Sequence, residues 1–155
     1  MSIVQDTYKS APAKGFAGQP ANAEPSGRIS RTIEDAAGIG FGAPVFRGSA
    51  DGGCTGTGAA GKDLGFCIAD QGLQILPGGT ADTFPQYQNV PIQTRGAIMV
   101  NVTGAVTPGQ AVTVGIGADA SDGIGSTAAD ATHIAMTGWV FDETVTDDLC
   151  VVVKR

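Results

Sequence analysis

Val90-Pro91-Ile92-Gln93-Thr94-Arg95-Gly96-Ala97-Ile98-Met99-Val100-Asn101-Val102 is the stretch whose reading decides the fold class. Val90, Ile92, Thr94, Ile98, Val100 and Val102 share one parity, and Val112, Val114 and Ile116 share it beyond a loop. Successive side chains of a strand point to opposite faces, so this alternation gathers the β-branched residues on one side of a sheet. Between the two runs, Pro108-Gly109 suits the centre of a type II turn: proline presets φ, and glycine accepts the positive φ of the next position. The pattern predicts a hairpin over residues 90–116 with an apolar even face. Its odd face, carrying Gln93, Arg95, Met99, Asn101 and Thr113, is expected at the surface and available to another subunit.

The rest of the chain shares this bias. Among 155 residues there are 13 Val, 11 Ile and 15 Thr against 4 Leu, a β-branched excess that favours strands over helices. Together, 24 Gly and 8 Pro punctuate it into short elements. We expect an all-β domain over residues 36–155, a small antiparallel β-sandwich or barrel-like unit with long Gly-rich loops. Residues 1–35 are expected as an extended N-terminal arm. Up to residue 28 the arm has only Ile3, Val4, Tyr8 and Phe16 as large apolar side chains, and Pro12, Pro20 and Pro25 interrupt it. Such a segment cannot build a core and gains order by lying on a neighbouring surface. Further strands are expected at residues 45–46, 63–69, 71–75, 135–141 and 149–153, with loops at 49–62, 77–85 and 117–130.

Net charge is −6, unevenly distributed. Residues 1–95 hold seven Lys/Arg and eight Asp/Glu, whereas residues 96–153 hold seven acids and no base. An acidic half of this kind argues against nucleic acid as a partner. No run approaches the ~20 apolar residues of a membrane span, so no membrane partner is expected. Cys54, Cys67 and Cys150 match no zinc spacing. Their odd number, without a recognisable secretory segment, predicts free thiols in a reducing cytosol. Cys67 and Cys150 lie in apolar runs and should be buried; Cys54, in Asp51-Gly52-Gly53-Cys54-Thr55-Gly56, should be exposed.

Motifs for chemistry are present only in part. Gly56-Thr57-Gly58-Ala59-Ala60-Gly61-Lys62 has the spacing of a phosphate-binding loop. That loop needs a buried strand before it and a helix after it, so that backbone N–H groups meet the phosphate. Here a polar segment precedes, a strand-like run follows, and Asp63 would repel a triphosphate. Asp119, Asp122 and Asp130 do not have EF-hand spacing. His133 has no nucleophile context. Asp142-Glu143 and Asp147-Asp148 could supply paired carboxylates, but adjacent residues of a strand face opposite ways. No catalytic, cofactor or metal residue is assigned, and the chain is not expected to be an enzyme.

From about Ser30 onward the chain resembles the structural cement proteins that decorate capsids of tailed bacteriophages. The resemblance lies in the order of Ser30-Arg31-Thr32-Ile33-Glu34-Asp35, Phe41-Gly42-Ala43-Pro44-Val45-Phe46-Arg47-Gly48, Leu64-Gly65-Phe66-Cys67-Ile68-Ala69-Asp70, Tyr87-Gln88-Asn89-Val90-Pro91-Ile92, Gly96-Ala97-Ile98-Met99-Val100 and Pro108-Gly109-Gln110-Ala111-Val112. It implies a virion protein, made in the host cytoplasm, that binds the major capsid protein on the outer surface of an assembled shell and stabilises it. It also implies self-association as a homotrimer, without a cofactor. Arg28 and Arg31 of the arm, with Arg95 and Met99 of the odd face, are the candidate capsid or subunit contacts; ordinary solvent exposure accounts equally for the arginines. A β-sandwich module for carbohydrate or a host receptor is the alternative, and it would need a cluster of exposed aromatic side chains.

Overall fold

A computed structural model describes residues 14–73 and 78–155. In chain order its strands are β1 Gly27–Ile33, β2 Ile39–Gly40, β3 Pro44–Arg47, β4 Gly53–Thr55, β5 Asp63–Cys67, β6 Thr83–Phe84, β7 Asn89–Asn101, β8 Ala105–Val106, β9 Ala111–Gly115, β10 Ile124–Gly125, β11 His133–Phe141, β12 Val145–Thr146 and β13 Leu149–Lys154. A 3-10 helix, Gly117–Asp122, lies between β9 and β10.

β7, at 13 residues, runs through both halves of the molecule. Its first half pairs antiparallel with β1 and with β5. β5 pairs with β3, β3 with β4, and β4 runs parallel to β1. These five strands therefore close into a barrel. Past Gly96 the same strand leaves the barrel and pairs with β13, opening a second sheet in the order β7-β13-β11-β9-β10. Gly96 is buried with φ 101°, a conformation that disfavours any side chain, and the Gln93 amide donates across it to the Ala97 carbonyl at 2.8 Å. The expected all-β, barrel-like class is the one observed.

The expected hairpin is not formed. Thr107-Pro108-Gly109-Gln110 does turn, with φ 85° at Gly109 and a 3.3 Å hydrogen bond from Gln110 N–H to Thr107 O. Yet β13 and β11 stand between β7 and β9, and β8 pairs with β12. The turn residues decide that the chain reverses, not which strand fills the vacated edge. That edge goes to β13, where Leu149, Cys150, Val151, Val152 and Val153 are all buried.

The parity reading fares better on the even face. Val90 and Ile92 fill the barrel core with Ile33, Val45, Cys54 and Cys67. Ile98, Val100 and Val102 enter a second, larger core with Val112, Val114, Met136, Trp139, Phe141 and Val152. Phe46 and Phe66 of the barrel strands join this second core, where Phe66 meets Trp139 edge-on at 4.9 Å between ring centroids. The odd face is not uniformly exposed. Gln93 and Thr113 are buried, the latter with its hydroxyl donating to the carbonyls of Gly125 and Thr127.

Two further expectations need correcting. Cys54 is fully buried, because the glycines before it form the turn into β4 and β4 lies between β1 and β3. The boundary at residue 35 also differs: Gly27–Ile33 is a wall of the barrel, since the alternation of Ile29, Arg31 and Ile33 suits a strand beside β7. Ahead of it, residues 18–21 follow the free edge of β7. Gly18 N–H donates to Met99 O, Met99 N–H to Gln19 O, and Ala21 N–H to Ala97 O, at 2.8, 2.9 and 3.0 Å. Residues 71–73 form a turn rather than the start of a strand; the rest of that expected strand, and the first part of the arm, fall outside the described residues.

Candidate interaction surface

Of the four expected contact residues, the barrel holds Arg28, Arg31 and Arg95, and the sheet half of β7 holds Met99. Arg28 registers with Gln93 across the β1–β7 pair and Gly27 with Arg95, so Arg28 and Arg95 stand close on the barrel wall, both exposed. Arg31 is half-buried. Met99 is half-buried against Ala21, Ala97, Val151 and Val153, beneath the chain's own N-terminal segment, and so differs from the open contact expected of it. The alternation of β7 could not reveal this cover, which comes from a segment with few apolar residues.

Carboxylates order the loops at one end of the barrel. Glu34 accepts from Ser49 N–H at 2.9 Å, the Ser49 hydroxyl at 2.8 Å and Ala50 N–H at 2.8 Å. The backbone bond from Ser49 leads the effects that hold its carboxyl below the ordinary glutamate range. Asp35 accepts from the Thr55 hydroxyl and from Gly56 N–H, both at 2.6 Å. The Gly-rich run from Gly56 to Lys62 thus begins with its first N–H bound to a carboxylate, and it passes into strand β5 instead of a helix. Asp63, at the start of β5, accepts from both Thr137 N–H and the Thr137 hydroxyl at 2.9 Å, tying the barrel to β11.

A second carboxylate-ordered region lies at the far end of the sheet. His133 is buried between Asp122, 3.2 Å from Nε2, and Asp130, 3.2 Å from Nδ1. Burial opposes its protonation, but the hydrogen bonds to Asp122 and Asp130 and the charges of Asp130 and Asp119 outweigh that and raise its pKa. Asp130, led by the Thr132 N–H and hydroxyl, is lowered to about 2. Among the described residues no group of three His, Cys, Asp or Glu side chains is arranged to hold a metal ion. The three thiols are free and buried, and burial pushes Cys54 up to about 11 and Cys67 up to about 12. A groove of about 790 Å³ is lined in part by Phe16, Phe41, Leu73, Asp70, Asp82 and Asp148 and presents no nucleophile–base pair. No helix of the described residues is long and apolar enough to cross a membrane.

Sequence comparison identifies the family. The model of the family described as structural cement protein (E217 gp24/Pam3 gp6) matches residues 4–154. The chain belongs to this family. It is a structural protein of the phage virion, and its work is to stabilise the capsid. No curated protein matches it. Among solved structures it is similar to a chain from the capsid of Myoviridae phage XM1, with a TM-score of 0.69 at 16% identity, covering 98% of this chain and 97% of that one. At that identity the likeness bears on the fold, and it covers the barrel and the sheet of the cement protein together.

Two residues that the alternation did not single out stand at the barrel end. Tyr87 is 78% exposed, and Arg47 is exposed at the end of β3. In the sequence Tyr87 and Arg47 stand within the segments that carry the family resemblance, with nothing local to mark either as a contact.

Proposed function

We propose that this cement protein binds the outer face of the assembled shell as a homotrimer, contacting the major capsid protein through the barrel and acting without catalysis. The observation that carries the reading is the family match over residues 4–154, nearly the whole chain. The exposed pair Arg28 and Arg95 and the half-buried Arg31 supply cationic contacts on a molecule of net charge −6. A standard interface buries about 800 Å² per partner, and a trimer multiplies modest contacts through avidity. Because such binding is confined to the assembled lattice, mass action stabilises the lattice.

Heating shells with and without the purified protein tests the function. A higher temperature of genome release with the protein bound is expected, and an unchanged one contradicts it. Sedimentation equilibrium tests the trimer: a mass three times that of the 15.5 kDa chain is expected, and a monomer at all concentrations contradicts it.

A further inference from the structure

Two arginines far apart in sequence meet at one small pocket. Cys54 registers with Ile33 on β1 and with Arg47 on β3. Registered residues share a face of the sheet, so Arg47 lies on the core face of the barrel wall, as does Arg31, two positions before Ile33. The loop after β3 folds over this end and leaves a pocket of about 120 Å³ lined by Arg31, Arg47, Asp51 and the backbone of residues 48–53. Neither arginine has a carboxylate within ion-pair distance among the described residues. The carboxylate closest in sequence to Arg31, Glu34, keeps its charge against the pocket wall but directs it at the N–H groups of Ser49 and Ala50 rather than at either arginine.

At the exit of β1, across that strand from the pocket, stands an aromatic side chain held in an unusual conformation. Tyr87 has φ 66°, uncommon for a bulky residue, and is 78% exposed. Its turn is fixed to the same exit of β1: Tyr87 N–H donates to Ile33 O at 2.9 Å, and the Gln86 amide donates to Glu34 O at 2.7 Å. Strained, solvent-facing residues on rigid turns are a mark of function, and Tyr and Arg dominate the energetics of protein interfaces.

We infer that the Arg31–Arg47 pocket receives a carboxylate side chain, an Asp or Glu on a loop of the shell protein, with Tyr87 packing alongside that loop. Guanidinium forks match a carboxylate in geometry and bind it bidentately. Asp51 at the rim repels a dianion more than a monoanion, which favours carboxylate over phosphate. The partner named here rests on the capsid-binding reading; the pocket's preference for carboxylate does not.

Amide and Arg Nε shifts of the full chain, titrated with sodium acetate at constant ionic strength, read the pocket directly. Saturable shifts at Arg31, Arg47 and residues 48–53 that chloride does not produce, and that vanish in Arg31→Gln and Arg47→Gln, are expected. Equal effects from chloride, stronger ones from phosphate, or unchanged shifts in the variants overturn the pocket. Co-sedimentation with assembled shells then reads the partner. Arg31→Gln/Arg47→Gln should bind at least tenfold more weakly at an unchanged thermal midpoint, Arg31→Lys/Arg47→Lys should recover part of the loss, and Tyr87→Ala should weaken binding further. Variants that bind shells like wild type overturn the assignment to the shell. A wild-type protein that ignores shells sinks the capsid reading, while the acetate titration still decides the pocket.

Discussion

The barrel and the sheet share one strand and solve the same problem in opposite ways. In the barrel, closure of β1 on both β4 and β7 leaves no unpaired wall, and its core is built of Ile, Val and Cys with Phe84. The sheet is open and is filled instead by Trp139, Phe141, Met136, Phe46 and Phe66. Its exposed edges are blunted. Residues 18–21 cover the outer edge of β7, and the opposite edge ends in the two-residue β10. Open edges invite pairing with other chains, and short or covered ones resist it. A protein that must bind a lattice in one orientation gains from this: contacts are left to loop ends and side chains, not to bare backbone.

Charge follows the same division. The arginines Arg28, Arg31, Arg47 and Arg95 all lie on barrel strands, whereas the sheet half carries Asp119, Asp122, Asp130, Asp142, Glu143, Asp147 and Asp148. Counting every charge, residues 1–95 are near balance at −1 and residues 96–155 carry −5, and such an asymmetry orients approach to a charged surface before any close contact is made.

Several changes would break or sharpen this comparison. The largest effect is expected at Trp139, whose indole meets Phe66 of the barrel inside the sheet core. Trp139→Ala should cost about 3–5 kcal/mol in urea unfolding and uncouple the halves. Trp139→Phe should cost far less, because the indole N–H has no hydrogen-bond partner among the described residues. A single transition in Trp139→Ala, with unaltered midpoint, would show that the aromatic contact does not join them.

A smaller effect is expected from the polar tie. Asp63→Ala removes both bonds to Thr137, and because they are exposed the loss should be about 1 kcal/mol by the same measurement. No change would mean that packing alone holds β5 to β11.

The smallest effect separates the two ends by pH. Asp130, with a folded pKa of about 2, stabilises the loop around His133 above an unfolded value of about 3.9 and loses that effect as pH falls toward 2. His133 has the opposite sign. Its raised pKa favours the fold fully below about pH 6.5, and the contribution disappears as pH rises through the folded value. Hydrogen exchange at Thr132 and His133 should therefore be slowest, after correction for intrinsic rates, between about pH 4 and 6.5. His133→Gln should remove only the alkaline limb. At the barrel end, Ser49 and Ala50 depend on Glu34, whose lowered pKa gives an acid limb alone. An alkaline limb there would contradict the assignment.

The sequence makes these regions legible to different degrees. The even residues of β7 announce a strand with one buried face, and the excess of Val, Ile and Thr announces the class. Pairing is another matter. Pro108-Gly109 signals a reversal, but Phe141 and β13 compete for the neighbouring positions from more than 30 residues away, and burial of the terminal strand wins. Glycines around Cys54 read as loop because their turn is visible and the two strands flanking it are not. The pairing of Arg31 with Arg47 has no local signal, since it exists only through the register of β4 with β1 and β3.

Lattice dependence is the central claim, and co-sedimentation tests it most directly. The protein should be mixed with expanded shells, with unexpanded shells and with unassembled capsid subunits, and the bound fraction measured across concentration. Saturable binding to assembled shells, absent from free subunits, is predicted. Equal binding to free subunits, or none to any shell, would contradict it.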